Sequence, residues 1–373
     1  MNGSFESTFM EKIIKDIFNK LDLAYFTVAT YPIGIESRLQ GLNRLLSRDS
    51  GDVCMVGILG IGGIGKTTLA KAIYNLLHSE FEESCFLGDV RETATQPDGL
   101  IKLQKKILSS VQVNVGRKIS HVDQGTMVIK ERVWSKRVLL VLDDVDQQEQ
   151  LDKLAVRRNY FQPGSRIIIT TRNESLLNLF EVDERYMPPK LNDHESLLLF
   201  SWHAFRKDQP NEDFEELSKE VVGYAEGLPL ALEVLGSLLS DKKKSEWESA
   251  LQRLKVTIPC KIQEKLRVSF DLLSDGQKEL FLDIAFFFEG MDKNYTIEIL
   301  KDSNLFPEIE VAVLVNRCLV TIDNSNKLRM HNLLRDMGRE IVHTESRKEP
   351  GKRSRLCIQE DVLDVLKNNT VRA

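Results

Sequence analysis

The run Gly60-Ile61-Gly62-Gly63-Ile64-Gly65-Lys66-Thr67 has the residue types and spacing best suited to chemistry in this chain. It reads GxxxxGK[ST]: glycines that let a backbone wrap closely with its N–H groups inward, then a cation, then a hydroxyl. Such a loop cradles polyphosphate. Lys66 would neutralise β- and γ-phosphates, and the Thr67 hydroxyl would hold Mg²⁺. The loop follows the apolar run ending at Leu59 and precedes the helical pattern TTLAKAIYNLL, so it opens onto a helix N-terminus, where unpaired N–H groups and the helix dipole favour anions. That strand, loop and helix order is the context a chance match lacks.

Three further stretches bear on the same chemistry. In VLLVLDDVD, Asp143 ends an apolar strand and could accept from a Mg²⁺-bound water, while Asp144 could orient an attacking water. Alone, two acids after a strand read as readily as a turn; beside a phosphate loop on a neighbouring strand they gain meaning. In IIITTR, Arg172 offers a fork of N–H donors to phosphate oxygens, or is a surface arginine. GLPLAL puts Pro229 at a helix start, where a missing N–H costs nothing. In LRMHNLLRDMG, residues 328–338, His331 and Asn332 stand at the mouth of an amphipathic helix. Its Leu333, Leu334, Met337 and Ile341 share a face, with Arg335 and Arg339 opposite, and Asn332 fits a cap.

The elements that must position these residues follow from periodicity. From about residue 50 to 190, DVCMVGIL, SCFLGDV, KRVLLVLDDV and SRIIITTR alternate with helical patterns, which implies βα units around a parallel sheet covered by helices. Beyond residue 190 the chain turns helical: NDHESLLLFSWHAF with Asn192 as cap, FEELSKEVVGYAEGLPLALEVLGSLLS and WESALQRL. After about residue 262 more helices lead to LVTIDNSNKLRM, two extended arms about an Asp323-Asn324-Ser325-Asn326 turn, which suits a winged helix. At the N-terminus, Phe5, Phe9, Ile13, Ile17 and Leu21 mark an amphipathic helix with neither signal nor transit character.

Composition bounds the rest. With 373 residues, two or three domains are expected. A hydrophobic content of 42%, a charged content of 29% and a net charge of -5 describe a globular chain with no global basic excess for nucleic acid or membrane. No window approaches the ~18 apolar residues of a membrane span. Cys54, Cys85, Cys260, Cys318 and Cys357 form no CxxC, which argues against a disulfide framework or a zinc site and for a reducing compartment.

In this order, GIGGIGKTTLA, FLGDVRE, KRVLLVLDDVD, GSRIIITTR, GLPLAL, FLDIAFFFEG and MHNLLRDMGREIV closely resemble the NB-ARC module of plant intracellular immune receptors of the nucleotide-binding, leucine-rich-repeat family. Asp146 after LDDV, where the coiled-coil branch has tryptophan, points to the TIR branch. The resemblance implies a linker helix over 1–30, an α/β P-loop nucleotide-binding domain over 31–190, a helical domain over 191–262, and a winged-helix domain with a tail over 263–373. It implies a switch that is ADP-bound at rest and ATP-bound with Mg²⁺ when active, at most a slow ATPase, assembling with itself or other immune receptors in the cytoplasm or nucleus. Carried over by position, Gly60, Gly62, Gly63, Gly65, Lys66, Thr67 and Thr68 form the phosphate loop, and Asp143 and Asp144 the acidic pair. Arg172 becomes the sensor of the γ-phosphate, Pro229 packs near the nucleotide, His331 binds the ADP β-phosphate, and Ile33 and Gly34 cover the adenine.

Departures qualify that carry-over. Ile35 stands where arginine is common, Asn332 replaces an aspartate, and Cys357 replaces an aromatic. The sequence starts in what resembles the linker after a TIR domain and stops near DVLDVLKNNTVRA, so NAD cleavage and direct sensing of a pathogen effector are not expected of it. Three alternatives stay open: a turnover ATPase, a truncated adaptor of full-length receptors, and a nucleotide-gated DNA-binding regulator. The last is motivated by Arg329, Arg335, Arg339, Arg347, Lys348, Lys352, Arg353 and Arg355. Against it, Asp336, Glu340, Glu345 and Glu349 are interspersed, which suits a solvated face, and stacking aromatics are absent from the run.

Overall fold

The computed structural model describes residues 26–47, 51–110, 119–132, 136–254, 257–301, 306–356 and 359–368. The stretch from Phe5 to Leu21 and Cys357 lie outside the described residues. The chain divides into two compact units. One holds the residues up to Ile58, Thr67–Thr170 and Val182–Tyr186; the other holds Leu59–Lys66, Thr171–Glu181 and everything from Met187 onward.

A parallel five-stranded sheet organises the first unit: β1 (Cys54–Leu59), β2 (Glu83–Leu87), β3 (Val138–Val145), β4 (Arg166–Thr171) and β5 (Glu184–Tyr186), in the order β2-β3-β4-β1-β5. The first four are the four apolar runs. Their central residues are apolar because both faces of the sheet are covered; every residue of β1 is buried, whereas Glu83 and Ser84 open β2 partly exposed. β5 carries no such signal. Glu184-Arg185-Tyr186 becomes a strand by pairing with β1, Val56 opposite Glu184, and the Tyr186 hydroxyl donates to the Arg38 carbonyl at 2.8 Å. Helices α1 (Ile35–Leu46), α2 (Lys66–Leu77), α3 (Val90–Ala94), α4 (Gly99–Ser110), α5 (Val122–Arg132) and α6 (Gln148–Lys153) complete this unit. Leu42 of α1, Ile73 and Leu77 of α2, Val141 of β3 and Ile168 of β4 share one buried core. Each such side chain contributes about 1.5–3 kcal/mol on burial.

The second unit is helical. Its helices are α7 (Glu174–Leu179), α8 (Asp193–Phe205), α9 (Glu215–Ala225), α10 (Pro229–Leu239), α11 (Lys244–Leu254), α12 (Cys260–Asp271), α13 (Asp275–Asp283), α14 (Lys293–Leu300), α15 (Pro307–Asn316), α16 (Asn332–Glu345) and α17 (Gln359–Asn368). Asn192 caps α8: its Oδ1 accepts from the Glu195 N–H at 2.8 Å, and the Glu195 carboxylate accepts from the Asn192 N–H at 3.1 Å. The helical pattern over 214–240 is two helices, broken where Glu226 (φ 46) and Gly227 (φ 71) turn left-handed before Pro229 starts α10. Trp247, 1% exposed, packs against Phe200, Phe205 and Phe214 and donates Nε1–H to the Leu239 carbonyl at 3.0 Å.

The hairpin forms as its turn residues imply. β6 (Thr321–Ile322) and β7 (Leu328–Arg329) pair antiparallel, and the Asp323 carboxylate accepts from the Ser325 and Lys327 N–H groups. The start of α16 corrects the expectation for Asn332. His331 holds the N-cap, its extended backbone letting Nδ1 accept from the Leu333 N–H at 3.2 Å, and Asn332 is the first helical residue. Ile341 is only half-buried; the interior face carries Leu333, Leu334, Met337, Gly338 and Val342, with Glu340 at 6% exposure. Among the described residues the cysteines are free and no helix is long and apolar enough to cross a membrane.

Candidate nucleotide-phosphate site

In the first unit, β3 delivers Asp143 to the sheet's carboxyl edge, 1% exposed. Its Oδ1 accepts two hydroxyls, Thr67 Oγ1 at 3.0 Å and Thr170 Oγ1 at 2.6 Å. Burial pushes the Asp143 carboxyl up from its ordinary value, while the hydroxyls of Thr170 and Thr67 pull the other way. Thr67 and Asp143, the two expected Mg²⁺ residues, are therefore in contact. Mg²⁺ demands few protein ligands where phosphates and water supply the rest, so one hydroxyl and one carboxylate fit it. No cluster of three or more His, Cys, Asp or Glu among the described residues could hold a metal by itself.

Asp144 is differently employed. Its backbone is left-handed (φ 58), its N–H donates to Thr170 Oγ1 at 2.8 Å, and its Oδ2 is clamped by Arg91 through Nε at 2.9 Å and Nη2 at 2.8 Å. Thr68 lies one residue into the same helical turn as Thr67. Ile33 is half-buried just ahead of α1, and Gly34 takes the left-handed conformation (φ 67) that starts the helix.

In the second unit lie the remaining loop residues. Lys66, 7% exposed, donates Nζ to the carbonyls of Gly60 at 2.7 Å and Ile61 at 2.9 Å, which holds the ammonium over the loop. The glycines are needed for different reasons. Gly65 adopts φ +96 with open space where a Cβ would be, so its demand is conformational. A Cβ on Gly62 would stand 2.7 Å from Arg172 Nη1 and from the Lys265 carbonyl oxygen. Gly63 combines φ +86 with Leu230 Cβ at 2.7 Å, and its carbonyl accepts from the Leu230 N–H at 3.3 Å. Gly63→Ala is expected to lower stability by about 1–3 kcal/mol. Thermal unfolding checks this against Gly51→Ala, whose Cβ meets nothing within 4 Å.

Arg172, following β4, donates Nη1 to the Lys265 carbonyl of α12 at 2.7 Å and so sits against the phosphate loop at Gly62. Pro229 is half-buried at the first position of α10, one residue before Leu230. His331 is 9% exposed, and its Nε2 is buried without a hydrogen-bond partner. Because Nδ1 accepts from Leu333, the neutral ring carries its proton on Nε2 and presents a donor. Burial, then the Lys190 charge, push its pKa down to about 4, and Glu226 partly opposes them.

Sequence reasoning assigned no role to Thr170, Arg91, Leu230 or Lys265. Thr170 and Arg91 lie inside the quoted IIITTR and FLGDVRE motifs, so a signal existed. Lys265 acts through its carbonyl, which any residue offers, so its side chain left none.

Comparison with known proteins agrees with this geometry. The NB-ARC domain family matches residues 35–210, and the Disease resistance protein Roq1-like, winged-helix domain family matches residues 274–346. Disease resistance protein RUN1 of Vitis rotundifolia is 41% identical over 357 residues, 95% of this chain and 27% of that protein. TMV resistance protein N of Nicotiana glutinosa is 39% identical over 368 residues, 97% of this chain and 32% of that protein. The chain thus spans about a quarter to a third of the length of these relatives. The solved Walker-type ATPase of Pyrococcus abyssi shares the fold, with a TM-score of 0.55 at 16% identity over 82% of this chain and 96% of that one. A phosphate loop, an acidic pair at the end of β3 and a Roq1-like winged helix on one polypeptide place the chain in the NB-ARC family, among the plant disease-resistance proteins.

Proposed function

We propose that the chain is the ADP/ATP switch module of a plant intracellular immune receptor of the TIR branch, acting in defence signalling. The observation that carries this reading is the buried His331 Nε2–H, a neutral donor without a partner, on the winged-helix part of the same unit as the phosphate loop. A buried donor left unpaired costs roughly 1–3 kcal/mol, so a ligand acceptor is a physical expectation. An ADP β-phosphate satisfies it.

Gly60, Gly62, Gly63 and Gly65 wrap the phosphates, Lys66 neutralises them, and Thr67 and Thr68 donate at the N-terminus of α2. Thr67 and Asp143 hold Mg²⁺, which supplies charge neutralisation at the phosphates. Arg172 senses a γ-phosphate, and its bond to the Lys265 carbonyl ties that sensor to the winged-helix segment. Ile33 and Gly34 cover the adenine, and Pro229 packs near the nucleotide. The clamp of Arg91 on Asp144 suits slow hydrolysis rather than a turnover ATPase. The module would assemble with itself or other receptors in the cytoplasm or nucleus, and the domain division of the sequence reading would follow from its three parts.

The DNA-binding alternative is less favoured, because five of its eight basic residues are paired with acids. Arg329 pairs with Asp323, Arg335 with Glu289, Lys352 with Glu349, Arg353 with Asp361, and Arg355 with both Glu279 and Asp283. The interspersed acids do not all form a solvated face: Glu340 is buried, and burial raises the Asp336 carboxyl. The test is to denature the purified chain and quantify the nucleotide it releases. Close to one equivalent of ADP is expected, whereas a protein that neither retains nor rebinds ADP or ATP would defeat the reading.

A further inference from the structure

Glu226 occupies an unusual position for a charged side chain. It ends α9 with a left-handed backbone (φ 46) and precedes Gly227, itself left-handed (φ 71). The Leu191 N–H donates to the Gly227 carbonyl at 3.0 Å, and a Cβ on Gly227 would lie 2.3 Å from the Leu191 carbonyl oxygen. This close approach seats segment 226–227 against segment 190–191, with the Lys190 ammonium 2.9 Å from Glu226 Oε2. The same oxygen faces His331 Nε2 at 3.8 Å, which is beyond hydrogen-bond length and within ion-pair range. A carboxylate held by a strained turn and a lysine therefore stands beside the nitrogen whose proton lacks a partner.

We propose that Glu226 is a built-in competitor for the His331 Nε2–H, weakening the imidazole's grip on a nucleotide phosphate, and that Lys190 sets how strongly it competes. The proposal rests on reading His331 as a phosphate donor. One N–H cannot donate fully to two anions, and a carboxylate close to a phosphate repels it; with Glu226 29% and Lys190 49% exposed, solvent screens part of that repulsion. Lys190 neutralises that repulsion in part. Glu226 thereby acts on nucleotide release through His331, as a positioning residue that touches no nucleotide. Arg335 and Asp336 of α16 do not compete in this way, because Arg335 lies 3.8 Å from Glu289 and the Tyr224 hydroxyl faces Asp336.

The competitor and a structural prop give opposite signs in one experiment. Release of a fluorescent ADP analogue is followed from wild type, Glu226→Gln and Lys190→Met. Glutamine keeps the shape and removes the charge, so Glu226→Gln is expected to slow release by roughly three- to tenfold, and Lys190→Met to speed it. A structural prop predicts faster release from both. Release from Glu226→Gln that is unchanged or faster overturns the proposal while leaving the phosphate reading intact; no binding of the analogue to wild type overturns both. In a His331→Ala background the glutamine effect should vanish, and its persistence would show that Glu226 acts on the nucleotide without His331. In nucleotide-free protein, the His331 ring should protonate at lower pH in Glu226→Gln than in wild type, a spectroscopic change that a structural role does not require.

Discussion

Lys66→Ala is expected to abolish nucleotide retention, the largest single effect on this chain. Hydrogen bonds to charged groups contribute about 1.5–3 kcal/mol each, so losing the ammonium should weaken ADP by roughly 10- to 150-fold or more. The variant has a second consequence, because Nζ also holds the Gly60 and Ile61 carbonyls. Those carbonyls lose their donor, and the loop should loosen even without ligand. Two measurements separate the effects. Quantifying co-purified nucleotide reports the first; the unfolding midpoint of nucleotide-free protein reports the second. Excess ADP should raise the wild-type midpoint, since a ligand that binds only the folded state stabilises it, and should raise that of Lys66→Ala markedly less at the same concentration. An alanine variant carrying wild-type amounts of ADP would remove Lys66 from the site.

The second large effect is expected at His331. Its Nε2–H should be worth about 1.5–3 kcal/mol to a bound phosphate, so His331→Ala should release ADP roughly 10- to 150-fold faster. Alanine also removes the cap on α16, at a cost of about 1 kcal/mol. His331→Ser distinguishes the two, because serine caps well and is too short to reach a phosphate. Helix stability should return in the serine variant and slow release should not. If serine restores slow release, the histidine is a cap alone.

The same residue gives a pH dependence with a definite sign. Its folded pKa, pushed down to about 4 by burial and then by Lys190, lies below the unfolded value. Stability from the neutral ring is therefore fully present above the unfolded pKa near ~6.5 and is lost as pH falls toward the folded value. Between those limits wild type should lose up to roughly 3 kcal/mol relative to His331→Ser. Denaturant unfolding at stepped pH measures it, and parallel curves for the two proteins would contradict a buried neutral imidazole.

Much of this site is legible in the sequence. GxxxxGK[ST] is local: consecutive backbone groups and the side chains that end the motif make the loop, so its chemistry is written in one stretch. The apolar runs of β1 to β4 and the caps and turns at Asn192, Pro229 and Asp323 are local too, and each forms where its residues imply. What escaped depends on partners distant in the chain. Glu184-Arg185-Tyr186 is a strand only because β1 offers it an edge. Asn332 was expected to cap and does not, because the geometry of the turn before α16 puts His331 one residue earlier in that place.

The sequence by itself determined the phosphate loop, the acidic end of β3 and the family, because each is a matter of residue type at fixed spacing. Tertiary structure alone decided what those groups face. It turned Asp144 toward Arg91, aimed Arg172 at a carbonyl on α12, and buried a histidine so that one nitrogen caps a helix while the other keeps its proton without a partner. Burial, tautomer and the neighbourhood of Glu226 depend on contacts between residues far apart in the chain, and no periodicity in the sequence records them.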